Sequence, residues 1–314
     1  MQETNLQNGF FFGDKSMIQF LKYLKAYYIL SGLLVISALA LIFVFGLKFG
    51  IDFVGGSILE VNFAQRPENQ TIQEKLKEFN LGEITIQPTG DKGVIIRVRE
   101  IDQDTHQKIL SKISEISETK EERFENIGPI IGKELRQKTI ILIIVSLIAL
   151  LCYIAIAFKK VSFPVSSLQY GVSSIITLSF DILITVGLLA FLGEFYNVQF
   201  NIPIITALLT ILGYTINDKV IVFDRIRENL LKHRGADFDS IVNQSLNETI
   251  VRSLTTGSCT LLVLFSIFLF GGETLKYFAL TLIVGIVIGT YSSLFLAAPL
   301  LVNWLKWKKM KLRR

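Results

Sequence analysis

The sequence is poor in the residues from which most enzyme sites are built. Its 314 residues include only two histidines, His106 and His233, and two cysteines, Cys152 and Cys259. Two cysteines are too few for a disulfide framework or a cysteine-based metal site. Neither histidine lies near a nucleophile in a setting suited to hydrolase chemistry, and no G-x-x-x-x-G-K-[ST] phosphate loop occurs. The sequence therefore predicts a protein that is not an enzyme, holds no cofactor or metal, and does not hydrolyse ATP itself.

Charge is also scarce for a chain of this length. Charged residues make up 19% of the sequence and hydrophobic residues 51%, whereas soluble domains carry about 25% charged residues. The charges are concentrated in a few windows and are missing from long runs. This distribution excludes a disordered chain, which requires low hydrophobicity, and argues against a soluble enzyme. It predicts an α-helical polytopic membrane protein.

Six runs are long and apolar enough to cross a membrane, which takes about 20 residues. They predict transmembrane helices at 27–47, 139–158, 164–192, 201–223, 253–271 and 275–305. The first run is too long for a signal-peptide core and is followed by no small-residue cleavage site, so we expect an uncleaved signal anchor. The remaining ranges would be an N-terminal segment at 1–26, a polar domain at 48–138, a loop at 224–252 and a basic tail at 306–314.

Lysine and arginine in the short flanks predict the orientation of the spans. The N-terminal segment, the loops after the second and fourth spans and the tail are basic, whereas the loop after the third span has no basic residue. We therefore expect both termini in the cytoplasm and the 48–138 domain outside it. The formal net charge of +5 follows from this bias. The tail can also bind anionic lipids, and no nucleic acid partner is needed to explain the charge.

The polar range 48–138 predicts one small α+β domain between the first two spans. Its patterns indicate strands at 57–63, 83–88, 94–98 and 122–127 and helices at 68–80 and 102–117. Turn residues at 89–93 join the two middle strands into a hairpin. The order βαββαβ is that of a ferredoxin-like domain.

Ionisable residues within the predicted spans are costly in lipid and by default indicate function. Asp181 lies in the third span, Asp218 in the fourth and Arg252 at the start of the fifth. Polar or small residues recur around them every three or four positions: Ser174, Thr177 and Thr185; Thr206, Thr210, Gly213, Asn217 and Asp224; Thr256 and Thr260. Because lipid offers no hydrogen bonds, we expect these three polar faces to meet.

The roles of these residues remain open between function and structural hydrogen bonding. The hydroxyl groups are typical helix–helix contacts, and Asp181 can serve either role. Asp218 is the strongest candidate for a titrating group, with Arg252 as its partner. Lys219 points about 100° away from Asp218 around the helix, so we expect it to extend to the cytoplasmic headgroups.

Small residues spaced four apart in the sixth span predict close helix packing. They are Thr281, Gly285, Gly289, Ser293 and Ala297. Beyond the fourth span, Asp224 and Arg227 can form an i,i+3 pair on a helix that continues into the cytoplasm.

Four ordered motifs mark the chain. The first is FGIDFVGG at 49–56, which contains Gly50, Asp52, Gly55 and Gly56, and the second is GPIIGKEL at 128–135. The third is LGYTIND at 212–218, with Gly213 and Tyr214, which leads into VIVFDRIREN at 220–229, with Asp224, Arg225 and Arg227. The fourth is NETIVRS at 247–253, which is followed by FGG at 270–272. In sequence and order they resemble the SecF members of the SecD/SecF family of bacterial protein-export proteins.

The resemblance implies a six-span half-unit of the resistance-nodulation-division superfamily in the bacterial cytoplasmic (inner) membrane. Such a protein pairs with SecD, associates with the SecYEG channel and YidC, and uses the proton-motive force to promote late-stage translocation of preproteins. It also implies proton coupling at Asp218, with Asn217 in the same motif, Arg252 in the next span and Asp181 in the third. Phe180 and Lys219 depart from the family pattern, so sodium is possible as the coupling ion.

Two other functions remain open from the sequence. One is a small-molecule or ion exporter half-unit of the same superfamily. The other is a scaffold subunit that uses no energy, in which Asp218 and Arg252 form a structural pair.

Overall fold

The computed structural model describes residues 17–157, 165–233 and 235–312. Within this part of the chain six helical segments are long and apolar enough to cross a membrane, which confirms the predicted fold class. In chain order the helices are α1 (Leu24–Phe45), the short α2 (Ile51–Val54), α3 (Asn69–Leu76), α4 (Gln103–Ser114), α5 (Pro129–Ala157), α6 (Ser167–Tyr196), α7 (Ile202–Lys232), α8 (Phe238–Phe270), α9 (Gly272–Ser292) and α10 (Ala298–Leu312). A π-helical turn, Ser293–Ala297, joins α9 to α10, so that the two form the sixth membrane segment.

The range 224–252, predicted as a loop, is mostly two helix extensions. Helix α7 continues to Lys232 and α8 begins at Phe238, so that few residues separate the two helices. Polar contacts hold the two extensions together: the Asn229 amide donates to the Ser245 hydroxyl at 3.0 Å and to the Glu248 carboxylate at 2.7 Å. Residues 1–16, 158–164, 234 and 313–314, which fall in several predicted segments, lie outside the described residues.

The polar range between α1 and α5 forms the predicted ferredoxin-like arrangement. Its strands are β1 (Gly56–Phe63), β2 (Thr85–Thr89), β3 (Gly93–Val98) and β4 (Thr119–Ile127), in the antiparallel order β2-β3-β1-β4. Apolar residues alternate along β1, and those on one face pack with Ile72 of α3 and with Ile109 and Ile113 of α4. The opposite face of the sheet borders the loop between α6 and α7.

Small residues allow the membrane helices to approach one another closely. A β-carbon on Gly187 of α6 would lie 2.6 Å from the Cβ and 2.7 Å from the Cα of Ala38 in α1. On α9, a β-carbon on Gly289 would lie 2.0 Å from Cγ2 of Thr215 in α7. The small-residue ridge of the sixth span therefore packs against α7, which fixes the position of the helix that carries the charged residues.

Replacing Gly187 with Ala tests the contact between α1 and α6. The new methyl group would meet the backbone of Ala38, so we expect the free energy of unfolding to fall by about 1–3 kcal/mol, as for other overpacked sites. Gly32→Ala on α1 is the matched control, because no atom lies within 4 Å of its added β-carbon. Thermal unfolding in detergent compares the two variants, and equal melting temperatures would contradict the packing.

Candidate intramembrane ion-coupling site

A fully buried ion pair joins α6 to α7. The Lys219 Nζ lies 2.7 Å from Asp181 Oδ2, and both side chains have 0% of their surface exposed. The ammonium also lies 3.5 Å from the backbone carbonyl oxygen of Thr215. The expectation that Lys219 extends to the headgroups is therefore wrong. The same 100° turn that separates it from Asp218 directs it toward α6, where the Asp181 carboxylate can neutralise its charge.

The surroundings of this pair contain further oxygen atoms. Oδ1 of Asp181 and Oγ1 of Thr215 are buried and have no hydrogen-bond partner among the described residues. On the α9 side the carboxylate faces Gly289, where an added β-carbon would lie 3.7 Å from Asp181 Oδ2. Three helices therefore enclose a small polar centre that contains one positive and one negative charge.

Asp218 has different partners although it precedes Lys219 directly. It is 2% exposed, and its hydrogen-bond partner is the side chain of Thr290 on α9. The charges of Lys219 and Arg252 also act on its carboxylate. Asp181 therefore faces an ammonium directly, whereas Asp218 is bound by a neutral hydroxyl. Of the two carboxylates, Asp218 is the one whose charge is not already balanced by a contacting cation.

The predicted meeting of three polar faces is only partly correct. The α6 face of Ser174, Thr177, Asp181 and Thr185 is buried, as expected. The predicted faces of α7 and α8 point outward instead: the exposed residues are Thr206, Thr210, Gly213, Asn217, Asp224, Arg252 and Thr256. The residues of α7 that turn inward are Thr215, Asp218 and Lys219. Their i, i+3, i+4 spacing is a second polar stripe, and the sequence pattern does not rank it above the stripe that was predicted.

We call a set of outward polar residues of α7 and α8 the exposed polar face. It comprises Thr206, Thr210, Asn217, Arg252 and Thr256. Tyr214 and Thr260 connect the two helices at its border, with their hydroxyl oxygens 3.2 Å apart. Polar groups on a membrane-spanning surface require partners that lipid does not supply.

The motif residues beyond Asp218 form an ionic network between α7 and α8. Arg225 binds Glu248 at 2.5 Å and Glu228 at 2.6 Å, and Asp224 pairs with Arg227 at 3.2 Å, as predicted. A polar cavity of about 520 Å³ lies against this network, and its lining includes Asp224, Glu248 and Arg252. The cavity leads from the connected ends of the two helices toward Arg252.

The first glycine motif contacts the opposite end of α7. Asp52 Oδ2 accepts a hydrogen bond from the backbone N–H of Ile202 at 2.8 Å. The same end is capped by Asn201, whose side chain accepts from the N–H of Ile204 at 3.1 Å. The N–H of Gly50 donates to the carbonyl of Phe200 at 3.0 Å. An acidic group at a helix N-terminus also interacts favourably with the helix dipole, so this motif holds the beginning of α7.

The paired glycines of the motif join this contact to the α+β domain. Gly55 has φ +79° and Gly56 has φ +137°, which are conformations that side-chain-bearing residues rarely adopt. A β-carbon on Gly55 would lie 2.9 Å from the Cα of Pro129, and one on Gly56 would lie 2.8 Å from the carbonyl oxygen of Val98. The motif is therefore packed between β3, the start of α5 and the start of α7.

Removing one member of the buried ion pair tests its energetic role. Lys219→Met or Asp181→Asn leaves the other charge buried alone, so we expect each to lower the free energy of unfolding by about 3–5 kcal/mol. The double variant carries no buried charge and should recover most of that loss. Lys48→Met is the control, since its pair with Glu194 is exposed and worth at most about 1 kcal/mol. Additive losses in a double-mutant cycle, measured by thermal unfolding, would argue against the pairing.

Two family models match separate parts of this chain. The family described as "Protein export membrane protein SecD/SecF, C-terminal" matches residues 106–307, and the SecD/SecF GG motif matches residues 40–65. The protein translocase subunit SecF of Thermobaculum terrenum is 37% identical over 303 residues, which cover 92% of this chain and 94% of that protein. The SecF subunit of Synechocystis sp. is 33% identical over 307 residues, which cover 92% and 95% of the two chains.

Solved structures agree with this assignment. The crystal structure of SecDF from Thermus thermophilus, described as a translocon-associated membrane protein, matches 92% of this chain with a TM-score of 0.82 and 30% sequence identity. A SecDF structure in a super-membrane-facing form matches 98% of the chain with a TM-score of 0.70. The chain spans 39% and 41% of the length of those two SecDF chains. On the family match, the relatives and the shared fold, this multi-pass membrane protein belongs to the SecD/SecF family of protein export membrane proteins.

Proposed function

We propose that the chain is a subunit of the Sec translocase accessory complex that works with SecD and uses the proton-motive force to promote late-stage protein translocation. The observation that carries the proposal is the state of Asp218. This carboxylate is buried within a membrane-spanning helix, and its hydrogen-bond partner is a hydroxyl group. The adjacent ion pair of Asp181 and Lys219 is neutral overall. Binding of a proton at Asp218 therefore changes the combined net charge of Asp181, Asp218 and Lys219.

The energy available from this charge is sufficient to drive a conformational change. One elementary charge that crosses a potential of 100 mV yields about 2.3 kcal/mol. This free energy shifts an equilibrium between two conformations by roughly fifty-fold. Protonation of Asp218 removes its attraction to Arg252 and lets α7 and α8 change their relative position.

A movement of α7 is transmitted to the α+β domain through its first turn. Asp52 and Gly50 bind the backbone at the start of α7, and the following glycines are packed against β3 and α5. The contact involves backbone hydrogen bonds and close packing, without a long flexible linker. We infer that a shift of α7 tilts the α+β domain, which grips or releases a translocating preprotein.

The exposed polar face supports a second membrane subunit as the partner. The threonines of this face donate to carbonyl oxygens of their own helices. Asn217 and Arg252 are exposed, and within the membrane an amide and a guanidinium need partners that lipid does not supply. The SecDF chains of similar fold are more than twice as long as this chain, which leaves a half of comparable size for SecD. We propose that helices of SecD cover the face and that the complex associates with the SecYEG channel, and with YidC during insertion.

The proposed location is the bacterial cytoplasmic membrane, with both termini in the cytoplasm and the α+β domain outside. The distribution of lysine and arginine supports this orientation. It places the network of Arg225 and Glu248 on the cytoplasmic side, where the basic tail can bind anionic lipids.

Export of small molecules fits the structure less well. The cavity between the α+β domain and the membrane helices is about 200 Å³, whereas ligand pockets usually measure about 300–1,000 Å³. The scaffold alternative differs from the proposal in one measurable respect, the response of export to an imposed gradient.

Asp218→Asn tests proton coupling directly. Asparagine keeps the size and hydrogen bonding of the residue but cannot take up a proton, so we expect preprotein export to lose its dependence on an imposed proton gradient. The measurement uses membrane vesicles that contain the full chain, SecD and the translocon. Glu134→Gln is the control, because its exposed pair with Lys138 lies away from the site. A native gradient response in Asp218→Asn would favour the scaffold.

Asp52→Ala tests transmission to the α+β domain. Loss of the hydrogen bond to Ile202 should lower the free energy of unfolding by about 0.5–2 kcal/mol, as for other helix caps. It should also reduce gradient-driven export more than a loss of stability of the same size elsewhere in the chain does. Asp102→Ala is the matched control: Asp102 caps α4 by accepting from the N–H of Thr105 at 2.9 Å, and hydrogen bonds from Thr105 hold the pKa of Asp102 below its ordinary value. Equal gradient responses in the two variants would refute the mechanical link.

A further inference from the structure

The surroundings of the Lys219 ammonium consist of oxygen atoms that suit a small cation. It lies 2.7 Å from Asp181 Oδ2 and 3.5 Å from the Thr215 carbonyl oxygen. Two further buried oxygens, Asp181 Oδ1 and Thr215 Oγ1, have no hydrogen-bond partner in the described part of the chain. Carboxylate, carbonyl and hydroxyl oxygens are the ligands that hard metal cations prefer.

The single negative charge of Asp181 suits a bound cation that carries one positive charge. Asp181 is the acidic residue that contacts the ammonium, and the pair is fully buried. No group of three or more histidine, cysteine or acidic side chains suited to a metal ion occurs among the described residues, which argues against a divalent site. A lysine ammonium is a compact point charge on a flexible stem, so it can take the place of a free monovalent ion.

We propose that the Lys219 ammonium is a tethered cation that occupies an intramembrane site for a monovalent metal ion and thereby excludes sodium. Lys219 is then a specificity-determining residue for the coupling ion. The inference rests on the proposed function in one respect: because the ammonium is bound to Asp181 Oδ2, the proton at Asp218 is the remaining coupling ion.

The helices around the pair would leave a space if the lysine stem were shortened. The ammonium belongs to a residue of α7 and the carboxylate to a residue of α6. Gly289 of α9 has no side chain that could fill the space next to Asp181. Gly289 is already in tight contact with Thr215, so α9 has little freedom to move inward and fill the space. The nearby Arg252 is exposed on α8, and its charge acts on Asp218.

Replacement of Lys219 with Ser tests this inference without any export assay. The full chain is unfolded thermally in detergent in sodium chloride and in choline chloride of equal ionic strength. For Lys219→Ser we expect the melting temperature to rise on the order of 3–6 °C for each tenfold increase in sodium above its dissociation constant. The native chain and Lys219→Met should show no such rise, because the ammonium or the methionine side chain still fills the space. The double variant Asp181→Asn with Lys219→Ser should also lose it.

The result is decisive even if the single variant is unstable. Folding of Lys219→Ser in sodium chloride but not in choline chloride supports the inference, since sodium then replaces the missing charge. Three outcomes overturn it: native protein stabilised by sodium as strongly as the variant, a folded Lys219→Ser that does not respond to sodium, or a variant unfolded in both salts while the double variant folds. Because the readout is stability, it stands apart from the response of Asp218→Asn in export.

Discussion

The contact between the Lys219 ammonium and the Asp181 carboxylate determines how the other membrane charges are arranged. Two unlike charges 2.7 Å apart at full burial balance each other, and removal of either leaves a charge that the surroundings cannot solvate. The pair fixes the rotation of α7 against α6 and, through Gly289, the approach of α9. With that rotation set, Asp218 is turned toward Thr290, and Asn217 is turned outward.

Helix α7 carries Asp218 near its middle and is bound to other parts of the molecule near both of its ends. Its first turn is held by Asp52 and Asn201, next to the α+β domain. Its last turns are joined to α8 by Arg225 and Glu248. A charge change at Asp218 therefore acts on a rigid element that is anchored at both ends, and the exposed polar face along its side is available to a partner helix.

Much of this fold could be predicted from hydropathy and turn chemistry. The six spans and the βαββαβ order of the α+β domain follow from periodicity and from long apolar runs. The rotation of α7 could not be predicted in this way, because Thr210 and Asn217 form as regular a polar stripe as Thr215 and Lys219 do. The partner on the neighbouring helix α6 decides which stripe is buried, and that partner, Asp181, lies 38 positions from Lys219 in sequence. The role of Asp52 was likewise missed, since a cap formed across 150 positions leaves no local pattern.

The central claim is that two neighbouring carboxylates have separate tasks, with Asp181 ionised in its pair and Asp218 the group that binds the proton. Infrared difference spectroscopy of the full chain with its partner, recorded across a range of pH, measures this directly through the carbonyl stretch of a protonated carboxyl group. The account predicts a protonated-carboxyl band that disappears in Asp218→Asn and persists when Asp181→Asn and Lys219→Met are combined. A protonated-carboxyl band that persists in Asp218→Asn and disappears when Asp181 is replaced would contradict the account.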